Sequence, residues 1–255
     1  MLTVQAVYDM INARAPFDTQ AEFDNAGLLV GDPAAEVKGI LVAMDVTQAV
    51  ITEAIACGAN LIVTHHPLMF SPIRRLVATD YESRLICRMI RSGIAHIAAH
   101  TNLDQAPGGV NDVLAACLGL ANVAGEGFVR AGDLPHPMTA DELCAHVSEA
   151  LHTVVRPIGA PSGKIRRVAM CSGGGSDEWP AALAMDAQAF LSGEIKHHHG
   201  LAMADAGVMG LEAGHHATEE PGIFALGTAL QKELDAVQYD VRVCQSRAGA
   251  YAMPE

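Results

Sequence analysis

"LIVTHHP", residues 61 to 67, is the stretch of sequence that decides the fold. Leu61 to Thr64 has the apolar, β-branched composition of a buried strand, and two adjacent histidines then end it against Pro67. A core rarely holds a His-His pair, and a surface loop does not need an apolar run before it. The pair therefore predicts a functional position at the end of a buried strand.

Strand and helix patterns alternate on both sides of this stretch. Thr47 is predicted to cap the preceding helix, and Thr79 forms a predicted capping box with Glu82 at the start of the following one. The second half repeats the alternation and opens with a helix capped by Thr139 and Glu142. Strands separated by helices are typical of parallel βαβ units.

The predicted fold class is therefore α/β, with two similar α/β domains and mainly parallel sheets. The first domain is predicted at residues 1–125 and the second at 126–255, with the Gly- and Pro-containing region around 121–137 as the seam. The last predicted strand, "VQYDVRV", could return to the first domain.

Composition limits the class of protein. Half of the 255 residues are hydrophobic and only 4% are aromatic, so the core is built mainly from Ala, Val, Leu and Ile. No apolar run approaches the roughly 20 residues that cross a bilayer, so no membrane partner is expected. A net charge of −13 argues against nucleic-acid binding. The six cysteines are scattered without a C-x-x-C pair, which is typical of buried thiols in a cytoplasmic protein.

Metal-competent side chains follow four predicted strands across the two halves. In open parallel sheets, ligands bind at the carboxyl ends of the strands. The residues at these ends are His65 and His66, Asp104, His197 to His199, and His215 and His216. Imidazoles beside carboxylates, with no thiolate among them, suit a divalent transition metal.

The His-His pair is the first of these groups. Neighbouring residues on a strand point to opposite faces, so His65 and His66 could not share a ligand there. At the end of the strand, where Pro67 fixes the turn, both rings can point toward one cleft. A single histidine in such a position is more often a hydrogen-bonded polar group, but the pair together with nearby carboxylates favours a metal.

Carboxylates complete the predicted set. His215 and Glu219 are four residues apart, so one helical turn would bring their side chains to the same point. A helix capped by Thr218 would also place Glu219 near its first turn, where a carboxylate is favoured. Asp104 supplies a second carboxylate, which could bridge two ions.

Other groups near the strand ends leave alternatives open. The histidines of "KHHHG" could bind metal or open a surface helix, and His198 is the one predicted to face the site. His100 is predicted to hold a ligand or a water molecule. The backbone of Gly173 to Gly175 could cradle a phosphate, although a tight turn is the simpler interpretation.

Six motifs, in order along the chain, resemble the NIF-three-like dinuclear-metal family, also known as GTP cyclohydrolase I type 2 homologues. They are "EFDNAGLLVGD", "MDVT", "THHP", "HTNLD", "SGEIKHH" and "GHHATE". The resemblance implies two divalent metal ions in a cleft between two α/β domains, and subunits assembled as a hexameric ring. The metal ligands that it implies are the five that spacing also selects: His65, His66, Asp104, His215 and Glu219.

The same resemblance places His100 and His198 near the metals as catalytic residues, and it leaves the roles of Asp24 and Asn25 open. The family label implies metal-dependent, ring-opening hydrolysis of GTP. A carboxylate-bridged pair of Zn, Mn, Fe, Co or Ni ions would lower the pKa of a bound water, which favours a hydrolase of a small polar substrate such as a nucleotide. The alternative hypothesis is a non-catalytic ring that handles metal or binds a partner.

Overall fold

A computed structural model describes residues 1–161 and 163–248. Within these residues the chain folds into two compact units, each with one β-sheet and its own helices. The first unit consists of Met1–Pro107 and the segment that starts at Ile223, and the second is Gly108–Gly222. The predicted α/β fold class is confirmed.

Helices and strands alternate along most of the chain. In chain order, the helices are α1 (Val4–Arg14), α2 (Gln48–Ala56), α3 (Tyr81–Arg91), α4 (Thr101–Gln105), α5 (Val110–Cys117), α6 (Ala140–Leu151), α7 (Pro180–Ala184), α8 (His197–Asp205) and α9 (His215–Ala236). The strands are β1 (Gly27–Val30), β2 (Gly39–Ala43), β3 (Leu61–Thr64), β4 (Ala95–Ala98), β5 (Ala121–Ala124), β6 (Arg130–Met138), β7 (Arg156–Ile158), β8 (Ile165–Cys171), β9 (Ala189–Ser192), β10 (Met209–Glu212) and β11 (Arg242–Gln245).

The sheet of the first unit has the strand order β1-β4-β3-β2-β11. Neighbouring strands in this sheet are parallel, except that β1 pairs antiparallel with β4. The central strand β3 has all four residues buried, because helices cover both faces of a parallel sheet. This explains why the strand is a continuous run of apolar residues up to Thr64.

The helices that flank β3 begin differently from one another. Thr47 caps α2 as predicted, since its hydroxyl oxygen accepts the N–H of Val50 at 3.1 Å. The predicted capping box of Thr79 and Glu82 is wrong. Helix α3 begins at Tyr81, one residue later than that capping box requires, and Asp80 takes the N-cap position.

The last strand lies in the first unit, where β11 pairs in parallel with β2. The predicted strand "VQYDVRV", residues 237 to 243, begins too early, because a turn follows the end of α9 at Ala236. Leu230 and Leu234, which the predicted helix already included, are fully buried. The strand itself begins only at Arg242.

The sheet of the second unit is mixed, with the strand order β5-β6-β8-β9-β10-β7. Strands β8, β9 and β10 are parallel, and the remaining three pairings are antiparallel. The region predicted as the seam forms the hairpin of β5 and β6 instead. Gly125 is needed there for close approach, because a Cβ at this residue would lie 2.2 Å from the carbonyl oxygen of Val129.

Helix α6 carries the capping box that the sequence predicts. The N–H of Glu142 donates to the Thr139 hydroxyl at 3.3 Å, and the N–H of Thr139 donates to the Glu142 carboxylate at 2.7 Å. Of the helices in the described ranges, none combines the length and the hydropathy that crossing a membrane requires.

Candidate metal centre

The carboxyl end of β3 carries the His-His pair. The strand ladder continues past Thr64, since the N–H of His65 donates to the carbonyl of Ala43 at 3.3 Å. The N–H of His66 then donates to the carbonyl of Met44 at 3.0 Å. Thr64 also donates its hydroxyl to the carbonyl of His66 at 2.7 Å. The backbone of the pair is therefore fixed by hydrogen bonds from strand and side chain.

Three imidazole rings of the first unit lie together. The ring centroid of His65 is 5.1 Å from those of His66 and His100, which are 5.6 Å from each other. Each ring holds its Nδ1 against an oxygen: His65 against the Ala99 carbonyl (2.9 Å), His66 against Asp45 Oδ1 (2.8 Å) and His100 against Asp24 Oδ1 (2.7 Å). These oxygens only accept, so Nδ1 carries the proton and Nε2 carries the lone pair that binds a metal.

His65, His66 and His100 form a group that could hold a metal ion, with one ligand atom from each within 4.8 Å of the others. Asp104 lies beside this group, with its Oδ1 3.5 Å from Nε2 of His65. Two donors bound about 2.0–2.1 Å from one tetrahedral ion are about 3.3 Å apart, so this spacing fits shared coordination. His100, predicted to hold a ligand or water, lies among the side chains that could bind the ion directly.

Asp24 fixes the orientation of His100. Besides the bond to His100, its Oδ2 accepts the N–H of Thr101 at 3.0 Å and the hydroxyl of the same threonine. Burial favours the neutral acid, but the hydrogen bonds from His100 and Thr101 outweigh it and lower the pKa of Asp24 to about 2. Asp24 is therefore an ionised acceptor near neutral pH. Its neighbour Asn25 donates to the carbonyl of Met69 at 2.6 Å.

The second unit has a His-x-x-x-Glu pair of its own at the start of α9. Nε2 of His215 lies 3.1 Å from Oε2 of Glu219, again the separation of two donors on one ion. Nδ1 of His215 lies 3.0 Å from Oε1 of Glu194, which fixes this ring in the same tautomer as the others. Glu219 is only 4% exposed, and a carboxylate this deeply buried requires a positive or hydrogen-bonding partner.

The glycine turn after β8 packs against this pair. Gly173 has a φ of +58°, and a Cβ there would lie 1.9 Å from Oε1 of Glu219 and 3.1 Å from Nε2 of His215. Its N–H donates to the hydroxyl oxygen of Thr218 at 3.0 Å. The prediction that Thr218 caps the helix is wrong, because α9 already begins at His215.

The glycine turn is a tight turn, in agreement with the simpler interpretation of "SGGG". The N–H of Gly175 donates to the carbonyl of Ser172 at 3.2 Å, and the N–H of Gly173 is bonded to Thr218. Both groups are therefore already satisfied within the second unit. Gly173 serves close packing beside His215 and Glu219, and Gly175 serves close packing against Cys171.

Gly173→Ala should make the protein less stable and weaken its metal binding. A left-handed backbone costs alanine roughly 1 kcal/mol, and overpacking against Glu219 should add about 1–3 kcal/mol. Because Glu219 must move, metal affinity should fall about 10–100-fold. Chemical denaturation and metal titration measure the two effects.

Two other glycines provide matched controls for this change. Gly127 has nearly the same φ, +57°, but no described atom lies within 4 Å of a Cβ there, so Gly127→Ala reports backbone strain alone. Gly174 also has open space, so Gly174→Ala adds a methyl group to the same turn. If Gly173→Ala and Gly127→Ala lose the same stability and the same metal affinity, close packing against Glu219 is not the reason for a glycine at residue 173.

His96, buried in β4, supports the turn of the His-His pair. The hydroxyl of Thr64 donates to the carbonyl of His66, so Nε2–H of His96 is the donor to Oγ1 of Thr64, 2.7 Å away. Nδ1 of His96 is then unprotonated, and it has no hydrogen-bond partner among the described residues. Burial lowers the pKa of His96 to about 3, so the ring is neutral near pH 7 and holds Thr64 in place.

Acid should unfold the protein partly through His96. Its pKa is about 3 when folded and 6.5 when exposed, so only the unfolded chain binds the extra proton between these values. The free energy of unfolding should therefore fall by up to about 1.4 kcal/mol per pH unit as the pH drops from about 6 to about 4. Urea unfolding of the metal-free protein measures this slope.

The control is His96→Gln, which keeps a donor for Thr64 but does not titrate. The free energy of unfolding of this variant should fall less per pH unit than that of the native protein, whatever the absolute stability of the variant. Identical slopes would assign the acid sensitivity to other groups.

His198 lies in the exposed first turn of α8, with its ring 4.2 Å from that of His199. His199 is anchored in turn, since its Nδ1 lies 3.1 Å from the hydroxyl oxygen of Ser176. Among the described residues, the groups that could hold a metal do not include His198. Its catalytic role stays a prediction.

Three acidic residues that orient the histidines were not assigned a role from the sequence. Asp45 and Glu194 each follow the end of a strand by two residues, β2 and β9 respectively, so strand ends could have indicated them. Asp24 precedes β1, and its spacing to His100 gives no such signal. All three lie within motifs that carry the family resemblance.

These sites can be compared with known proteins. The model of the Duf34/NIF3 (NGG1p interacting factor 3) family matches residues 2–250. The chain belongs to this family. A Streptomyces coelicolor protein named GTP cyclohydrolase 1 type 2 homolog is 34% identical over an alignment that covers 97% of this chain and 92% of that protein. A Lactococcus lactis protein of the same name is 32% identical over 209 residues, covering 79% and 81% respectively.

A solved structure supports the same relationship. The crystal structure of a Staphylococcus aureus hypothetical protein matches this chain with a TM-score of 0.93 at 27% identity, covering 99% of both chains. The resemblance carried by the six motifs is thereby confirmed. This Duf34/NIF3 family member has His and Glu groups that could bind a metal ion, at positions selected from the sequence.

Proposed function

We propose that the chain binds two divalent metal ions and uses them to hydrolyse a small polar substrate, with nucleotides as the favoured class. The proposed ligands are His65, His66, Asp104, His215 and Glu219. In this proposal they serve one dinuclear centre in a cleft between the two α/β domains, as the family resemblance implies. Zn, Mn, Fe, Co and Ni all suit imidazole and carboxylate ligands.

Four histidine rings carry this proposal. His65, His66, His100 and His215 each hold Nδ1 against a carbonyl or carboxylate oxygen, at 2.7 to 3.0 Å. Such bonds raise the basicity of Nε2 and fix its direction, which is the usual support of a metal-binding histidine. The same arrangement at all four histidines favours a shared role in metal binding over four unrelated structural hydrogen bonds.

The chemistry divides between the ions and the chain. Divalent ions would supply a Lewis acid and hydroxide near neutral pH. The chain's own residues hold the ligands: Asp24 keeps the proton on Nδ1 of His100, and Glu194 does the same for His215. We propose that His100 and His198 act beside the reacting centre, with His100 also able to bind an ion.

The net charge of −13 sets a condition on the substrate. A polyanion such as GTP needs local positive charge. Lys196, in the "SGEIKHH" motif, is one candidate, but its ammonium pairs with the Asp177 carboxylate. The metal ions would therefore neutralise most of the substrate's phosphate charge.

The test is to incubate metal-replete protein with GTP, other nucleotides and small phosphoesters, with chelator-treated protein as the blank. A metal-dependent product from at least one compound is expected. No product from any of them would favour the non-catalytic alternative.

Metal handling without catalysis is the second candidate. His65 is fully buried and Glu219 is 4% exposed, as expected where an ion is enclosed for storage or delivery. A hydrolase keeps an open coordination position, whereas a storage site can close its shell. The same assay, together with metal release to a competing chelator, separates the two.

Two wider properties remain predictions. The family resemblance implies a homohexameric ring. The scattered cysteines of the sequence favour the cytoplasm, where thiols stay reduced.

A further inference from the structure

One face of α2 meets the strand β11 in the first unit. Glu53 and Cys57 are one helical turn apart and therefore share this face. The Glu53 carboxylate accepts the hydroxyl of Ser246 at 2.5 Å and the N–H of Arg247 at 3.0 Å. Cys244 lies two residues before Ser246 and so on the same side of the extended chain. The pairing of Glu53 with Ser246 thus brings Cys57 toward Cys244.

The two thiols are neighbours at this junction, where both line the same cavity. Burial raises the pKa of the Cys244 thiol, and the charge of the neighbouring Cys57 thiol raises it further. Cys244 also packs against the core that contains Val50 and Ala54 of α2, and the Cys57 thiol donates to the carbonyl of Ala54 at 3.4 Å. Contacts on both sides therefore hold the two sulfur atoms at the junction of α2 and β11.

The pair is also accessible to small molecules. Both cysteines line one cavity of about 710 Å³, whose wall also includes Lys232, Arg242 and Arg247. Cys57 is exposed and Cys244 is half-buried. A small oxidant can thus reach Cys57 first.

We propose that Cys57 and Cys244 form an intramolecular disulfide when the protein meets a peroxide oxidant. The bond joins helix α2 to β11, the last described strand of the chain. This modification site is independent of the candidate metal centre and of the proposed hydrolase activity.

The chemistry balances with hydrogen peroxide as the co-reactant. The Cys57 thiolate attacks one peroxide oxygen, the O–O bond breaks, and the products are a sulfenic acid on Cys57 and hydroxide, which takes up the proton released by the thiol to become water. The sulfur of Cys244 then attacks the sulfenic sulfur. The hydroxyl leaves with the Cys244 proton as a second water, and the S–S bond forms. Both sulfur atoms are oxidised and the peroxide is reduced.

Cys57 is the first site because it is exposed and Cys244 is not. A thiol whose pKa is raised holds less of the reactive thiolate, which also directs the oxidant away from Cys244. Cys244 is instead placed to resolve the sulfenic acid, since it lines the same cavity as Cys57.

Peptide mapping of the full-length protein after mild peroxide treatment tests this proposal. Trypsin should release residues 39–74, which contain Cys57, and residues 243–247, which contain Cys244. Under non-reducing conditions the two peptides should appear joined, with a mass about 2 Da below their sum because two thiol hydrogens are lost. Dithiothreitol should separate them.

Cys57→Ser and Cys244→Ser should each abolish the joined peptide, whereas Cys117→Ser, which removes an exposed thiol of the second unit, should leave it unchanged. Native protein that accumulates sulfinic acid on Cys57 while Cys244 stays reduced would overturn the proposal. So would a disulfide that joins either cysteine to a different partner. Mapping of the native protein alone decides the matter if a serine variant fails to fold.

Discussion

The Glu219→Ala protein should hold about one divalent ion per chain, where the native protein should hold about two. Oε2 of Glu219 lies 3.1 Å from Nε2 of His215, and the Glu219 side chain is almost wholly buried. Its loss removes one ligand and leaves Glu194, on the other ring nitrogen, as the carboxylate beside His215. Elemental analysis of both proteins, purified in parallel and dialysed free of loosely bound metal, measures the difference.

Glu220→Ala is the matched control. Glu220 follows Glu219 on α9, so both changes remove one negative charge from the same turn of the helix. The Glu220 carboxylate lies 3.5 Å from His216, which is not among the proposed ligands. Its removal should leave the metal content unchanged. Equal metal content in the native and Glu219→Ala proteins would exclude Glu219 as a ligand.

The positions of the metal-competent residues could be predicted because they depend on local sequence. Leu61 to Thr64 is a buried strand by composition, so the two histidines after it had to stand at its carboxyl end. The spacing of His215 and Glu219 similarly fixed their contact once both lay on one helix. Neither inference needed knowledge of the rest of the chain.

The role of His100 could not be predicted in the same way. Which ring nitrogen faces an ion depends on the acceptor that the other nitrogen finds, and that acceptor is Asp24, 76 residues earlier. Asp45 and Glu194 orient their histidines over similarly non-local pairings, since each precedes its histidine by 21 residues. Pattern and spacing describe one segment at a time and cannot give such contacts.

The limits of the two units were hidden for a related reason. Helix α9 begins at His215 in the second unit and ends at Ala236 in the first, without a change in composition at Gly222. The Gly- and Pro-containing region that suggested a seam serves the hairpin of β5 and β6. A glycine marks a turn or a close approach of the backbone, and such a position does not have to coincide with a boundary between units.

Asp104→Ala should abolish metal-dependent turnover of whichever substrate the nucleotide panel identifies. Asp104 is 8% exposed, and its Oδ1 lies 3.5 Å from Nε2 of His65, so its removal takes a charged ligand out of the proposed centre. The loss should exceed the about 10–100-fold that removal of a residue behind a ligand causes. Initial rates at saturating metal and substrate measure it.

Asp24→Asn and Asp9→Ala complete this experiment. Asp24 touches His100 and not the proposed ions, so losing its charge should reduce turnover by about 10–100-fold, less than the loss of Asp104 itself. Asp9 is exposed on α1, and removing it changes the net charge equally without reaching any strand end. Its rate should match the native rate. If the Asp104→Ala and Asp9→Ala proteins both keep the native rate of turnover, Asp104 has no part in the chemistry. The predicted order, in which Asp104→Ala loses more turnover than Asp24→Asn, would then be wrong as well.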